Sequence, residues 1–203
     1  MTTQPAVEVR SDARASHRVA QLALVVGGLT WVPARWAVMT TWDGTWLGAD
    51  YVGWNRLMLL PLTLLVVGSV ATARREAGRR LKAAWGVMAA GFVLSWLGVL
   101  IEFVIGGGLR GGPEWLAMAG WGLYLLGNLL TGVGAAVAAV TVALDRSRRD
   151  RVATTGALAL AGLSMLAWLP LMAATLNEAG VVDQLVVGAA WVLVGLTTAR
   201  RPV

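Results

Sequence analysis

Long apolar runs alternate with short polar connections along the whole chain. Six of the runs reach the ~20 residues that a helix needs to cross a hydrocarbon core. They extend from Val19 to Val38, Trp54 to Ala73, Ala83 to Ile105, Trp115 to Leu144, Val152 to Leu176 and Val181 to Ala199. The pattern predicts an all-α integral membrane protein, a bundle of six transmembrane helices with short loops, over residues 18–199. Residues 1–17 are expected to form a disordered polar arm and 200–203 a short tail. The first run is longer than a signal-peptide core and no small-residue cleavage site follows it, so it is read as an uncleaved anchor.

The distribution of positive charge orients this arrangement. Fourteen of the seventeen basic residues fall on one side: Arg10, Arg14 and Arg18; Arg74, Arg75, Arg79, Arg80 and Lys82; Arg146, Arg148, Arg149 and Arg151; Arg200 and Arg201. Only Arg35, Arg56 and Arg110 fall toward the other. Basic residues are retained on the cytoplasmic side, so both termini are expected in the cytoplasm, which an even number of spans requires.

Composition narrows the chemistry. Hydrophobic residues make up 57% of the 203 and charged residues 14%, with a mean hydropathy of +0.67. A soluble domain carries about a quarter charged residues. The net charge of +6 lies in clusters flanking apolar runs, and no basic face is left for nucleic acid. The chain contains no cysteine and one histidine, His17, in the polar arm. Disulfides, cysteine-ligated zinc and iron–sulfur clusters are thereby excluded, and neither a metal nor a cofactor is expected. Arginine outnumbers lysine sixteen to one, and alanine, glycine and valine are abundant, as in proteins of GC-rich bacteria. A bacterial cytoplasmic membrane is the expected location.

Small residues mark where helices meet in lipid, because they let backbones approach. Ala84, Gly91 and Gly98 recur at seven-residue intervals in the third run; Gly120, Gly127, Gly134 and Thr141 in the fourth; Gly188 and Gly195 in the sixth. Such a repeat keeps one face turned to a partner. The fourth helix, with the longest series, is expected at the centre of the bundle. Pro33, Pro61 and Pro170 lie inside runs and are expected to kink their helices.

The candidate chemistry is concentrated toward the outer side. Ten of the eleven tryptophans fall in the outer half or its connections, and only Trp85 lies near the cytoplasmic face. An ordinary aromatic belt marks both interfaces, so this one-sidedness calls for a further use of the indoles. Arg35, Arg56 and Glu102 lie at the same level. Charges within a span are costly and mark functional positions. Their expected convergence makes an outward-facing pocket in which the two arginines hold an anionic head, Glu102 tunes them, and Trp31, Trp96, Trp121 and Trp168 cover the apolar part. The plainer alternative is that Arg35 and Arg56 reach outward to lipid phosphates. Tyr124, Asn128 and Thr131 share one face of the fourth helix and form either a polar path below the pocket or ordinary interhelical hydrogen bonds. The glycine-rich segment 106–113 lacks the ending of a phosphate-binding loop and reads as a flexible connection. The connection from Thr40 to Val52 is the longest on the outer side and lies on the membrane surface or covers the pocket.

Three functions follow. The first is binding or transport of a lipid-like or amphipathic anionic small molecule, with membrane lipids as neighbours. The second is an intramembrane acid–base enzyme using Glu102, opposed by the lack of a second catalytic group. The third is an accessory subunit packing on a larger membrane partner through its glycine faces.

Overall fold

A computed structural model describes residues 5–108, 112–148, 150–175 and 178–198. Among the described residues the chain is all-α apart from one small hairpin. Its elements are α1 (Pro5–Thr40), β1 (Thr45–Trp46), β2 (Ala49–Asp50), α2 (Tyr51–Leu57), α3 (Leu59–Arg75), α4 (Arg79–Val99), a π-helical turn (Leu100–Ile105), α5 (Glu114–Leu144), α6 (Arg151–Thr175) and α7 (Glu178–Thr198). Five stretches are long and apolar enough to cross a membrane: Ser16–Thr40, Tyr51–Arg75, Arg79–Ile105, Glu114–Leu144 and Arg151–Leu171. The sixth, Val182–Thr198, is apolar but shorter among the described residues. Arg110, Arg149, Arg200 and Arg201, counted above on the two sides, lie outside the described residues, as does the tail at 200–203.

Several boundaries differ from those the apolar pattern predicts. Helix α1 starts at Pro5, inside the segment expected to be a disordered arm. A proline suits the first helical position, where its missing N–H would have had no partner. The second run begins at Tyr51 rather than Trp54, because Asp50 caps it: its carboxylate accepts from the Gly53 N–H at 2.8 Å. That run is then broken at Met58. Pro61 has no N–H to offer the Leu57 carbonyl four residues back, and the break falls next to Leu57. The third run ends in a π-helical turn, closed by the Gly106 N–H donating to the Ile101 carbonyl at 2.9 Å.

The connection between α1 and α2 folds as a two-stranded antiparallel hairpin, with Trp46 opposite Ala49. Its two-residue turn, Leu47-Gly48, has positive φ at both positions (50° and 79°), the geometry whose twist matches paired strands. Leucine adopts it at a steric cost that glycine would avoid.

Six helices close a ring in the order α1, α3, α4, α5, α6, α7, each packing chiefly on two neighbours, with α7 returning to α1. The expectation that the fourth apolar helix is central is therefore corrected: α5 is one member of the ring. Its glycines allow close approach on two faces instead. Gly98 meets Gly120, Gly91 meets Gly127, and Ala84 meets Gly134, so the series on α4 and α5 interlock in antiparallel register. On its other face Gly132 lies against Gly162 and Leu166 of α6. Gly188 of α7 likewise meets Gly28 of α1. The middle of the ring is filled by side chains, among them Leu24, Leu62, Met88, Phe92 and Trp191. Phe92 and Trp191 meet edge-to-face across it, with ring centroids 5.0 Å apart.

The basic connections gather at one end of the ring. There Arg148 bridges Glu76 at 3.2 Å and Asp145 at 2.9 Å, tying the α5–α6 turn to the end of α3. His17 and Arg75 are in contact at the same end. Hydrogen bonds from the Ser147 hydroxyl and then from Arg148 hold the Asp145 carboxyl below the usual aspartate range.

Candidate functional site

At the opposite end of the ring, away from the basic connections, lies a cavity of about 380 Å³. Helix α1 and the residues just after it contribute Arg35, Val38, Met39 and Trp42; α2 contributes Tyr51 and Asn55. The end of α4 and the π-helical turn supply Val99, Glu102 and Phe103. Trp121 and Tyr124 enter from α5 and Trp168 from α6.

Arg35 is only 5% exposed. Its Nε donates to Gln184 Oε1 of α7 at 3.0 Å. Its guanidinium carbon lies 5.7 Å from the ring centre of Tyr124 and 5.6 Å from that of Trp168, within cation–π range of both. Those rings are edge-to-face at 5.7 Å. No ion pair to Arg35 occurs among the described residues, and its terminal amino groups have no hydrogen-bond partner there. Two further polar atoms of this wall, the Tyr124 hydroxyl and Trp168 Nε1, are buried and unpaired. An unpaired buried polar group costs free energy, and two on one wall beside a buried arginine need an explanation.

Glu102 is 3% exposed and has no ion pair or side-chain hydrogen bond among the described residues. Its position is set by the backbone. The Glu102 carbonyl accepts from the Gly108 N–H at 2.7 Å, and a side chain on Gly120 would begin 2.6 Å from Glu102 Cβ, so the π-helical turn is pressed onto α5. Tyr51 lines the same cavity as Arg35 and Glu102. Its ring packs edge-to-face on Trp42 at 4.6 Å and on Phe103 at 5.7 Å.

Arg35, Glu102, Trp121 and Trp168 thus line one cavity. The other members of the set do not line it. Arg56 is exposed, and its Nε donates to the Phe103 carbonyl at 2.8 Å, capping an acceptor of the π-helical turn. It supports Glu102 through the backbone and is no second grip on an anion in the cavity. Trp31 is buried against Gly188 at the α1–α7 contact. Trp96 donates to Thr63 Oγ1 of α3 at 3.1 Å. Of the polar series on α5, only Tyr124 reaches the cavity; Asn128 is buried below it and Thr131 sits against Gly91. A continuous polar path is not assembled by these three residues.

Sequence reasoning missed Asn55, Phe103 and Gln184. Gln184 carried a usable signal: with Asp183 it opens an otherwise apolar run. Asn55 and Phe103 gave none, since their placement depends on the early start of α2 and on the π-helical turn. Arg56→Gln is expected to lower stability by about 1 kcal/mol, the value of one hydrogen bond, while ligand retention stays within about two-fold of wild type. Thermal unfolding and ligand titration of the same preparation check both parts.

No known protein family, characterised protein or solved structure matches this chain.

Proposed function

We propose that this chain is a six-span protein of the bacterial cytoplasmic membrane. In this reading both termini are cytoplasmic, and the chain binds or carries an amphipathic anionic small molecule, or a lipid, in an aromatic cavity open toward the outer side. One observation carries the binding part: Arg35, buried and without a carboxylate, presents free donors beside the unpaired Tyr124 hydroxyl and Trp168 Nε1. A phosphate or carboxylate placed there would pair with the Arg35 amino groups. Val38, Met39 and Val99, with the aromatic rings, supply an apolar surface for the rest of the molecule. A volume of about 380 Å³ is within the range of small-molecule pockets.

Native mass spectrometry of protein released from nanodiscs tests this reading. Wild type is expected to retain an anionic molecule of defined mass that Arg35→Gln loses. Bare wild-type protein, or equal retention by both, overturns it.

The orientation has its own test, and the lack of cysteine makes it clean. Gly44 and Gly78 lie at opposite ends of the ring, and each has open space where a side chain would start. Gly44→Cys is expected to react with a membrane-impermeant maleimide in intact spheroplasts, and Gly78→Cys only after lysis. The reverse pattern would invert the topology.

A second reading, an acid–base enzyme, is favoured by the buried, unpaired Glu102 facing the same cavity. Turnover of a retained ligand by wild type and its loss in Glu102→Gln would support it.

A further inference from the structure

A buried arginine and a buried carboxyl group line the cavity without meeting. Coulomb attraction between their ionised forms is strong where water is scarce, and a free pair would collapse into contact. Here each is tethered elsewhere. Arg35 is held by Gln184 and by the faces of Tyr124 and Trp168. Glu102 is fixed by the π-helical turn pressed on Gly120. No ion pair joins them, and Tyr51 lines the same cavity.

The Glu102 wall also differs in kind from the Arg35 wall. On the latter the surplus groups are donors. On the former stands a carboxyl acceptor, and Tyr51, Phe103 and Trp121 line the same cavity, with Tyr51 packed edge-to-face on Phe103 and Trp42. Aromatic rings and a carboxylate in one cavity make a receptor for an ammonium group, held by charge and by ring quadrupoles together.

We infer that the cavity's ligand is a zwitterion, with its phosphate or carboxylate at Arg35 and its ammonium group at Glu102. This rests on the Arg35 reading above and adds the second charge. It resolves the tethered pair: a molecule carrying both charges neutralises both walls, whereas a plain anion leaves Glu102 unpaired. The chemistry is shared by a free amino acid-like molecule and by the headgroup of a zwitterionic phospholipid.

A matched trio of probes tests it: 6-aminohexanoate, hexanoate and hexylammonium, titrated against indole fluorescence with the full chain in phosphatidylglycerol nanodiscs. Trp42, Trp121 and Trp168 in the cavity walls report occupancy. The wild-type comparison needs no variant. 6-Aminohexanoate is expected to bind about ten-fold or more tightly than either singly charged probe, since one desolvated charge contact is worth that much. Glu102→Gln is expected to remove its advantage over hexanoate, by weakening 6-aminohexanoate, by strengthening hexanoate, or by both. Hexanoate binding wild type as tightly as 6-aminohexanoate overturns the zwitterion and leaves the anion reading standing. Binding of neither acid, or binding untouched by Arg35→Gln, overturns both. Nanodiscs of phosphatidylethanolamine separate the sources: headgroup occupancy weakens 6-aminohexanoate at least ten-fold there, and a free zwitterion binds equally in both lipids.

Discussion

Gly127→Val is expected to destabilise the folded chain by about 3 kcal/mol or more, while Gly122→Val in the same helix changes stability by less than about 0.5 kcal/mol. Both substitutions add the same atoms to α5. The difference lies in what those atoms meet. At Gly127 a Cβ would collide with the Ser95 hydroxyl and the Gly91 carbonyl of α4, and it would come within 2.5 Å of the Ser95 backbone nitrogen. Backbone atoms cannot swing aside, so the helices must part. Parting them loses the close van der Waals contact on which helix association in a bilayer would rest. At Gly122 nothing lies within 4 Å of the new atom. Thermal unfolding followed by fluorescence-detected size exclusion should show the Gly127 variant falling early and the Gly122 variant tracking wild type. Equal losses would mean that the α4–α5 register is wrong. That register reaches the cavity: Gly98 lies 2.5 Å from the Gly120 carbonyl oxygen and 2.7 Å from the Tyr124 nitrogen, measured from where its Cβ would be. Glu102 and Tyr124 take their places from the same contact.

The sequence pattern was informative wherever a single physical demand acted on many residues. Apolar length marked the helices, because a hydrocarbon core would make the same demand at every position of a span. Small residues seven apart marked the α4–α5 contact, because every turn of that seam must stay narrow. They did not reveal that the helices form a ring, since a glycine face says that a neighbour is close and not which neighbour it is. Arg35 and Glu102 stood out because charge in an apolar run is costly. Arg56 stood out for the same reason and was misassigned: its guanidinium serves the Phe103 carbonyl, and nothing in the sequence announces a π-helical turn whose carbonyl needs a donor. Trp31 and Trp96 were grouped with Trp121 and Trp168 by depth alone, whereas rotation about the helix axis decides which indole meets the cavity. Asn55 and Tyr51 entered through the early start of α2, which depended on one capping carboxylate, Asp50.

Arg35→Gln is expected to separate binding from stability. Removal of this buried cation facing the cavity should weaken binding of hexanoate about thirty-fold or more, because truncating one side of a desolvated charge contact costs about 2 kcal/mol at least. The effect on the fold should be small, within about 1 kcal/mol. Two opposing terms set it. The variant loses two cation–π contacts, each worth about 1 kcal/mol, and weakens the bond to Gln184. It also removes a buried charge that has no ion pair among the described residues, and inserting such a charge into a span costs about 2.5–3.5 kcal/mol at the centre and less toward an interface. The sums nearly cancel, so the arginine gives the empty protein little. A residue kept for architecture would behave in the opposite way: its loss would lower the unfolding midpoint and leave hexanoate binding intact. Arg35→Lys sharpens the contrast. It keeps the charge but loses the planar fork and its stacking on Tyr124 and Trp168, so its affinity should fall between wild type and Arg35→Gln. Affinity equal to wild type in the lysine variant would reduce the site to a point charge, and the aromatic walls would then have no part in orienting the anion.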